Sequence, residues 1–208
     1  MKPMLVIPTR YASTRLPAKA LRVLKGKTLV QHVHERAMAV EGFEQVIIAT
    51  DDARIREVCE DFGADVCMTS IGHETGSDRL AEVVQIHDWA DDTVIVNLQG
   101  DEPLTPVANL VQLASNLMMQ HEAMIATLAT PLHGESELLD PNIVKVVTDA
   151  NDLALYFSRA PIPFQRDATK TGSKPVAEYG LRHVGMYAYR AAFLRAFAEL
   201  EPCELEHL

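Results

Sequence analysis

The chain has 208 residues, of which 48% are hydrophobic, so it can bury a substantial core as one domain or as one domain with a small appendage. Its formal net charge of −10 argues against a nucleic-acid-binding surface, and no apolar run approaches the roughly 18 residues of a membrane span. The start MKPMLVIP lacks a signal-peptide pattern and the three cysteines show no C-x-x-C spacing, so we expect a cytoplasmic protein without a disulfide framework or zinc site.

The first predicted strand and the loop after it form the most unusual segment of the chain. Residues 4–7 are an apolar run that Pro8 ends, and a basic loop follows. The first 34 residues contain no Asp or Glu but seven Lys or Arg, in a chain that is acidic as a whole. Fixed positive charge and backbone N–H groups favour phosphate oxygens, so this loop predicts a nucleotide site. A solvated basic face is the alternative interpretation.

The next elements alternate between helix and strand. A helix is predicted over residues 28–40 with Thr28 as its cap, and strands over residues 45–50 and 65–70 enclose a helix that Asp51 and Asp52 open. This order indicates an α/β fold with a mostly parallel sheet flanked by helices. Ligands bind at the carboxyl ends of the strands of such sheets. We therefore expect the loops that follow Pro8, Thr69 and Leu98 to share one site.

The loop after Thr69 leads into another helix. Gly76 can adopt a positive φ, and Ser77 or Asp78 is the predicted helix cap. Arg79 lies in the first turn, where the helix dipole does not favour a cation, so we expect it to have a specific partner. An ordinary surface arginine is the alternative.

The strand over residues 93–98 is the most apolar of the chain and leads directly into Gln99-Gly100-Asp101. A carboxylate just beyond a central strand, after a glycine that permits close approach, suits Mg²⁺ that is shared with phosphates. The alternative is that Asp101 caps the helix predicted over residues 104–120. Further strands are predicted over residues 124–132, 142–149, 154–159 and 183–190, and a final helix over residues 191–200.

Four blocks of this sequence, in this order and spacing, resemble the 3-deoxy-manno-octulosonate (Kdo) cytidylyltransferases. The blocks are IPTRYASTRLPAKAL, VNLQGDEPL, ALYFSRAPIPF and LRHVGMYAYR, and the similarity covers essentially the whole chain. The resemblance implies a single nucleotidyltransferase domain over residues 1–208 with a Rossmann-like fold. It also implies transfer of CMP from CTP to Kdo, which gives CMP-Kdo and pyrophosphate for lipopolysaccharide biosynthesis, with Mg²⁺ as cofactor and a homodimer as the assembly.

The resemblance also assigns roles to individual residues. Those expected to act in catalysis are Arg10, Lys19 and Asp101, with Asp101 as the metal ligand. Those expected to bind the nucleotide are Arg10, Ser13, Lys19, Arg79 and Gln99. Those expected to bind the sugar acid are Gln99, Arg159, His183 and Tyr187. From the residues alone, Arg159 could instead close an ion pair, and His183 and Tyr187 could be core residues on one strand face.

The sequence departs from the family pattern in two places. The family usually has Gly-Lys-Pro where this chain has Ala18-Lys19-Ala20, and Thr9 replaces a usual alanine. Because alanine disfavours positive φ, we expect the geometry of the loop to be altered. Because Lys19 is retained, we expect phosphate binding to persist. Family members also continue beyond CELEHL, through a segment that carries a second metal-binding aspartate, and we expect that segment to be missing here.

Two further hypotheses follow. The chain is a truncated or non-catalytic CTP-binding protein if the missing carboxylate prevents turnover. It is a cytidylyltransferase for another acceptor if it acts on the related sugar acid 8-amino-Kdo, on a sialic acid or on a polyol phosphate.

Overall fold

The computed structural model describes residues 2–12, 16, 18–73, 75–166 and 180–201. The chain divides into two units, which are described separately. The first comprises Met1–Ala126 and Met186–Leu208, and the second comprises Thr127–Gly185. The prediction of one domain over residues 1–208 stays a prediction. In the described part of the chain, no helix is long and apolar enough to cross a membrane.

The strands agree closely with those predicted from apolar runs. In chain order they are β1 (Met4–Thr9), β2 (Val23–Leu24), β3 (Lys27–Thr28), β4 (Gln45–Thr50), β5 (Asp65–Met68), β6 (Val94–Asn97), β7 (Ile125–Pro131), β8 (Lys145–Thr148), β9 (Ala154–Ser158) and β10 (Leu181–Arg190). The helices are α1 (Leu29–Met38), α2 (Ala53–Asp61), α3 (Gly76–Ile86), α4 (Val107–Met119), α5 (Glu135–Leu139) and α6 (Ala191–Phe197). Sequence patterns did not predict the short helix α5 or the β2–β3 hairpin.

A parallel sheet organises the first unit. Strand β1 lies between β4 and β6 and is parallel to both, and β4 is parallel to β5. The end of β10, from Tyr187 to Arg190, is antiparallel to β6. Helices α3 and α6 cover one face of this sheet with a buried cluster that includes Val6, Ile47 and Ile95. The predicted α/β fold with a mostly parallel sheet is therefore confirmed.

The second unit contains antiparallel pairing. Strand β8 pairs with β9, from Lys145 opposite Ser158 to Thr148 opposite Ala154. The start of β10 pairs with β8 through Leu181 and Arg182, and β7 also pairs with β10. The strand predicted over residues 142–149 begins only at Lys145. Residues 140–143 form a turn instead, and two of its backbone carbonyls accept hydrogen bonds from Lys145 Nζ.

Two helices begin at the residues that the sequence indicated. Thr28 caps α1 by accepting a hydrogen bond from the backbone of Gln31, and Asp52 caps α2 by accepting one from Arg54. The prediction that Ser77 or Asp78 caps α3 is wrong. Thr75 is the cap, and Asp78 completes the cap by accepting from the Thr75 backbone N–H, so the helix begins earlier than predicted.

Candidate active site

The three loops that were predicted to meet do form one cavity of about 530 Å³ in the first unit. Its lining comes from the loop after β1, from the segment that leads into α3, and from the turn after β6. All three follow the carboxyl ends of parallel strands, where this class of sheet binds ligands. Five of the predicted site residues line this cavity: Arg10, Lys19, Arg79, Gln99 and Asp101.

An ion pair joins two walls of the cavity. Lys19 Nζ donates to Asp101 Oδ2 at 2.5 Å, and the two side chains remain 39% and 47% exposed. The pairing connects the basic loop to the turn after the central strand. Both groups stay accessible, so the Lys19 ammonium can exchange its partner for a phosphate and the Asp101 carboxylate can exchange its partner for a metal ion. Arg10 is an exposed lining residue, and Ser13 lies outside the described residues.

Ala18 stands in the basic loop where the family pattern has glycine. Ala18 has φ 54° and ψ 30°, which is the left-handed region that glycine usually supplies. Ala18 therefore adopts a positive φ although alanine disfavours it, and the altered geometry of the loop relative to the family stays a prediction. Its N–H donates to the Tyr11 carbonyl at 3.1 Å, and the Arg54 guanidinium lies 3.4 Å from the centre of the Tyr11 ring. These contacts hold the loop against α2 and offset the backbone strain.

Arg79 has the specific partner that its position in the first turn predicted. Its guanidinium donates to Asp51 Oδ2 at 2.8 Å and also to the Thr69 hydroxyl, and the residue is only 3% exposed. The contact connects the residues that follow β4 and β5 to α3, so the alternative of an ordinary surface arginine is excluded. Arg79 also lines the cavity. Its direct contact with a nucleotide stays a prediction.

A second acidic side chain organises the loop before α3. Glu82 accepts hydrogen bonds from the Ser70 N–H at 2.7 Å and from the His73 ring. Burial raises the pKa of Glu82, but the hydrogen bonds from His73 and Ser70 outweigh it, so the pKa lies below its usual value. An ionised Glu82 carboxylate therefore holds His73, which lines the cavity. The sequence contained this His but no local signal for its partner nine residues later.

Gly100 permits a close approach between protein segments. A Cβ at this residue would lie 2.5 Å from Thr9 Oγ1 and 2.9 Å from the Pro8 carbonyl oxygen. From the sequence, the glycine was expected to permit approach by a ligand, whereas the end of β1 occupies this space in the structure. Asp101 does not cap α4, since Pro106 is the N-cap residue and no side chain provides a capping hydrogen bond there. The capping alternative is therefore wrong.

We expect Gly100→Ala to distort the cavity and to destabilise the protein by about 1–3 kcal/mol, because overpacking against a backbone oxygen cannot be relieved by a rotamer change. Chemical denaturation and CTP titration of the variant measure the two effects. Gly72→Ala is the matched control, since among the described residues its Cβ would meet only Ser70 Oγ, at 3.7 Å. Equal behaviour of the two variants would contradict the packing role of Gly100.

One buried polar residue beside the cavity turn was not predicted as a site residue. Asn97 is 4% exposed at the end of β6, and its Oδ1 has no hydrogen-bond partner among the described residues. The Tyr189 hydroxyl lies 3.4 Å from Ser77 Oγ. Burial raises the pKa of Tyr189, and hydrogen bonds with Ser77 and Asn97 partly offset that rise. An asparagine inside an otherwise apolar strand was the available signal.

The predicted sugar-acid residues lie in both units. Arg159 follows β9 in the second unit, and its Nη1 donates to the Pro141 carbonyl at 2.8 Å, so this interaction is with the backbone and not with a carboxylate. His183 is half-buried in the same unit, where its Nε2 lies 2.9 Å from Thr127 Oγ1 and burial lowers its pKa. Tyr187 belongs to the first unit, and burial raises its pKa. Their shared role stays a prediction.

Comparisons with known proteins identify the family of this chain. A family model described as cytidylyltransferase matches residues 4–208. A 3-deoxy-manno-octulosonate cytidylyltransferase from Thioalkalivibrio sulfidiphilus is 56% identical over 200 residues, which cover 96% of this chain and 80% of that protein. The relative of the same name from Halorhodospira halophila is 52% identical over 98% of this chain and 79% of that protein.

A solved structure is also similar. The structure of CMP:2-keto-3-deoxy-manno-octonic acid synthetase complexed with CTP superposes with a TM-score of 0.87 at 40% identity, over 100% of this chain and 81% of that one. A 4-diphosphocytidyl-2C-methyl-D-erythritol synthase, at 14% identity and a TM-score of 0.59, shares the fold. The chain therefore belongs to the cytidylyltransferase family, in the branch of the 3-deoxy-manno-octulosonate cytidylyltransferases.

Proposed function

We infer that this protein transfers CMP from CTP to Kdo and releases pyrophosphate, which makes CMP-Kdo for lipopolysaccharide biosynthesis. The observation that carries the inference is the cavity in which Lys19 and Asp101 meet at the ends of parallel strands, in a chain that is 56% identical to a named Kdo cytidylyltransferase. In the reaction, the anomeric hydroxyl of Kdo attacks the α-phosphorus of CTP and the P–O bond to the pyrophosphate breaks. Such a transfer depends mainly on positioning and on charge neutralisation.

The basic loop is proposed to bind the triphosphate. Arg10 and Lys19 supply fixed positive charge, and Ser13 is proposed as a further contact from the same loop. Gln99 and Arg79 are proposed to contact the nucleotide, and Gln99 also the sugar acid. The Asp51 carboxylate holds the Arg79 guanidinium, so this residue cannot reorient freely when CTP enters.

Asp101 is the proposed ligand for Mg²⁺. The described residues contain no group of three or more His, Cys, Asp or Glu side chains that could hold a metal ion together. A single exposed carboxylate still fits Mg²⁺, which commonly uses one or two protein carboxylates and completes its shell with water and phosphate oxygens. When bound, Mg²⁺ would neutralise charge on the phosphates. Lys19 would then be released from its ion pair and could contact a phosphate oxygen.

Arg159 is proposed to bind the carboxylate of the sugar acid, and His183 and Tyr187 to contact its hydroxyls. We expect Arg159→Ala to raise the KM for Kdo by about 10- to 100-fold, since a charge-assisted hydrogen bond to a carboxylate is lost, while the KM for CTP stays close to the wild-type value. Steady-state kinetics with each substrate varied in turn measures the two constants. An equal rise in both would assign Arg159 a structural role instead.

The acceptor is tested by product analysis. The protein is incubated with CTP and Mg²⁺ and with Kdo, 8-amino-Kdo or a sialic acid, and the products are identified by mass spectrometry. We expect CMP-Kdo from the first incubation. A product from 8-amino-Kdo in preference to Kdo would correct the acceptor, and a product from the sialic acid alone would contradict the proposed function.

A homodimer and a cytoplasmic location are further parts of the proposal. Strand β9 ends the strand order of its sheet and exposes three consecutive large apolar side chains, Leu155, Tyr156 and Phe157. Such an edge favours pairing with a second copy. We expect sedimentation at twice the mass of the 23.0 kDa chain, and a monomer at micromolar concentration would contradict this. The free, buried thiols of Cys59 and Cys67 are consistent with a reducing compartment.

A further inference from the structure

A completely buried lysine lies under the residue that is proposed to bind the sugar acid. Lys145 opens β8 and is 0% exposed. Its Nζ donates to three backbone carbonyls, those of Asp140 at 2.9 Å, Ile143 at 2.7 Å and Arg159 at 2.6 Å. An ammonium has three donors, so each of them has an acceptor. In the described part of the chain, no carboxylate forms an ion pair with Lys145.

The three acceptors belong to two segments that are distant in sequence. Asp140 and Ile143 belong to the turn before β8, whereas Arg159 directly follows β9. A buried charge is stable only while its hydrogen-bond partners stay in place, because any loss leaves the charge without compensation. Lys145 therefore fixes the backbone of Arg159 relative to the turn.

The side chain of Arg159 is held by the same turn. Its Nη1 donates to the carbonyl of Pro141 at 2.8 Å, between the two carbonyls that bind Lys145. The turn is itself rigid, because Asp140 Oδ1 accepts from the N–H of Asn142 at 2.8 Å and from its side-chain amide at 2.9 Å. Arg159 is thus restrained both at its backbone and at its guanidinium.

We propose that Lys145 is a positioning residue for the sugar acid, which acts by fixing Arg159 through the turn over residues 140–143. The inference rests on the proposed role of Arg159 in binding the carboxylate. A guanidinium that is already oriented loses less conformational freedom when the substrate binds. Pre-orientation of Arg159 therefore strengthens binding of the sugar acid and does not change binding of the nucleotide. Lys145 itself does not touch the substrate in this account.

The test is the substitution Lys145→Met, which keeps most of the length of the side chain and removes the ammonium group with its charge and donors. We expect the KM for Kdo to rise about tenfold, while the KM for CTP and calorimetric CTP binding stay unchanged, because loss of pre-organisation weakens only the interaction made by Arg159. If Lys145 had only a structural role, its substitution would change the KM values for both substrates together.

A second variant covers the case in which Lys145→Met does not fold. Asp140→Ala loosens the same turn from its exposed side, and we expect the KM for Kdo to rise about two- to fivefold since the hydrogen bonds to Asn142 are lost. Asp149→Ala is the matched control. Its Oδ1 accepts from the N–H groups of Asn151 at 2.8 Å and Leu153 at 2.9 Å, at the other end of the β8–β9 hairpin, so the KM for Kdo should not change.

Comparison with Arg159→Ala separates the two proposals. If Arg159→Ala raises the KM of both substrates, the proposed role of Arg159 fails. In the expected case, Arg159→Ala raises only the KM for Kdo. If Asp140→Ala and a folded Lys145→Met variant then leave the KM for Kdo unchanged, the inference about Lys145 is overturned and the proposed function stands. The double variant of Lys145→Met and Arg159→Ala should match Arg159→Ala alone, because Lys145 acts through Arg159. Fully additive effects would overturn the inference.

Discussion

Asp101→Asn is expected to lower kcat/KM by roughly 100- to 1,000-fold, because a metal ion contributes several kcal/mol to stabilising charge in the transition state. Asparagine has nearly the same size as aspartate but carries no charge, so it binds Mg²⁺ far more weakly. The side chain of Asp101 is 47% exposed and its only ion pair is with Lys19 among the described residues, so the fold should tolerate the change.

Pyrophosphate release over a range of Mg²⁺ concentrations measures this effect, and thermal unfolding checks the fold. The matched control is Asp91→Asn, which also removes an ion pair, in that case with Arg195 at 2.5 Å and outside the cavity. The control should keep wild-type turnover. Full activity of Asp101→Asn would show that this carboxylate does not hold the metal ion.

Lys19→Gln is expected to lower kcat/KM for CTP by about 100-fold, which is typical of losing one fixed donor that stabilises developing charge. Glutamine can still donate a hydrogen bond but supplies no charge to the phosphates. Asp101 loses its ion-pair partner in this variant. Because the Asp101 side chain is exposed, the loss should change the free energy of unfolding little. Kinetics with CTP varied at saturating Kdo measures the change.

Lys27→Gln is the control from the same basic segment. Lys27 Nζ pairs with both carboxylate oxygens of Glu35 at 2.7 Å and does not line the cavity. If the cavity lysine makes a specific phosphate contact, only Lys19→Gln should impair CTP use. Equal losses in both variants would show that the segment acts only through its overall positive charge.

The position of the site followed from the sequence because it depends on topology. Apolar runs located the parallel strands, among which residues 45–50 agree fully with β4, and the ends of such strands meet at one edge of the sheet. The first-turn position of Arg79 also predicted a partner. The identity of that partner, Asp51, required the structure because 28 residues separate the pair and no local pattern connects them.

Other features depended on tertiary contacts that sequence patterns do not encode. Ala18 occupies a left-handed conformation against its intrinsic preference, since the loop is held by Tyr11 and Arg54. Lys145 lies in a predicted strand, and the strand pattern gave it no special role. Its burial depends on the Arg159 carbonyl, which is distant in sequence and accepts a hydrogen bond from it. Gly100 was correctly singled out, but the segment that approaches it is the end of β1.

The central claim is tested most directly by pyrophosphate release from this 208-residue chain with CTP, Kdo and Mg²⁺. UTP and ATP replace CTP in control reactions, and further controls omit Kdo or add a chelator. We predict release that requires CTP, Kdo and the metal ion together. Tight CTP binding without any pyrophosphate release would contradict the account and identify the chain as a nucleotide-binding protein without turnover.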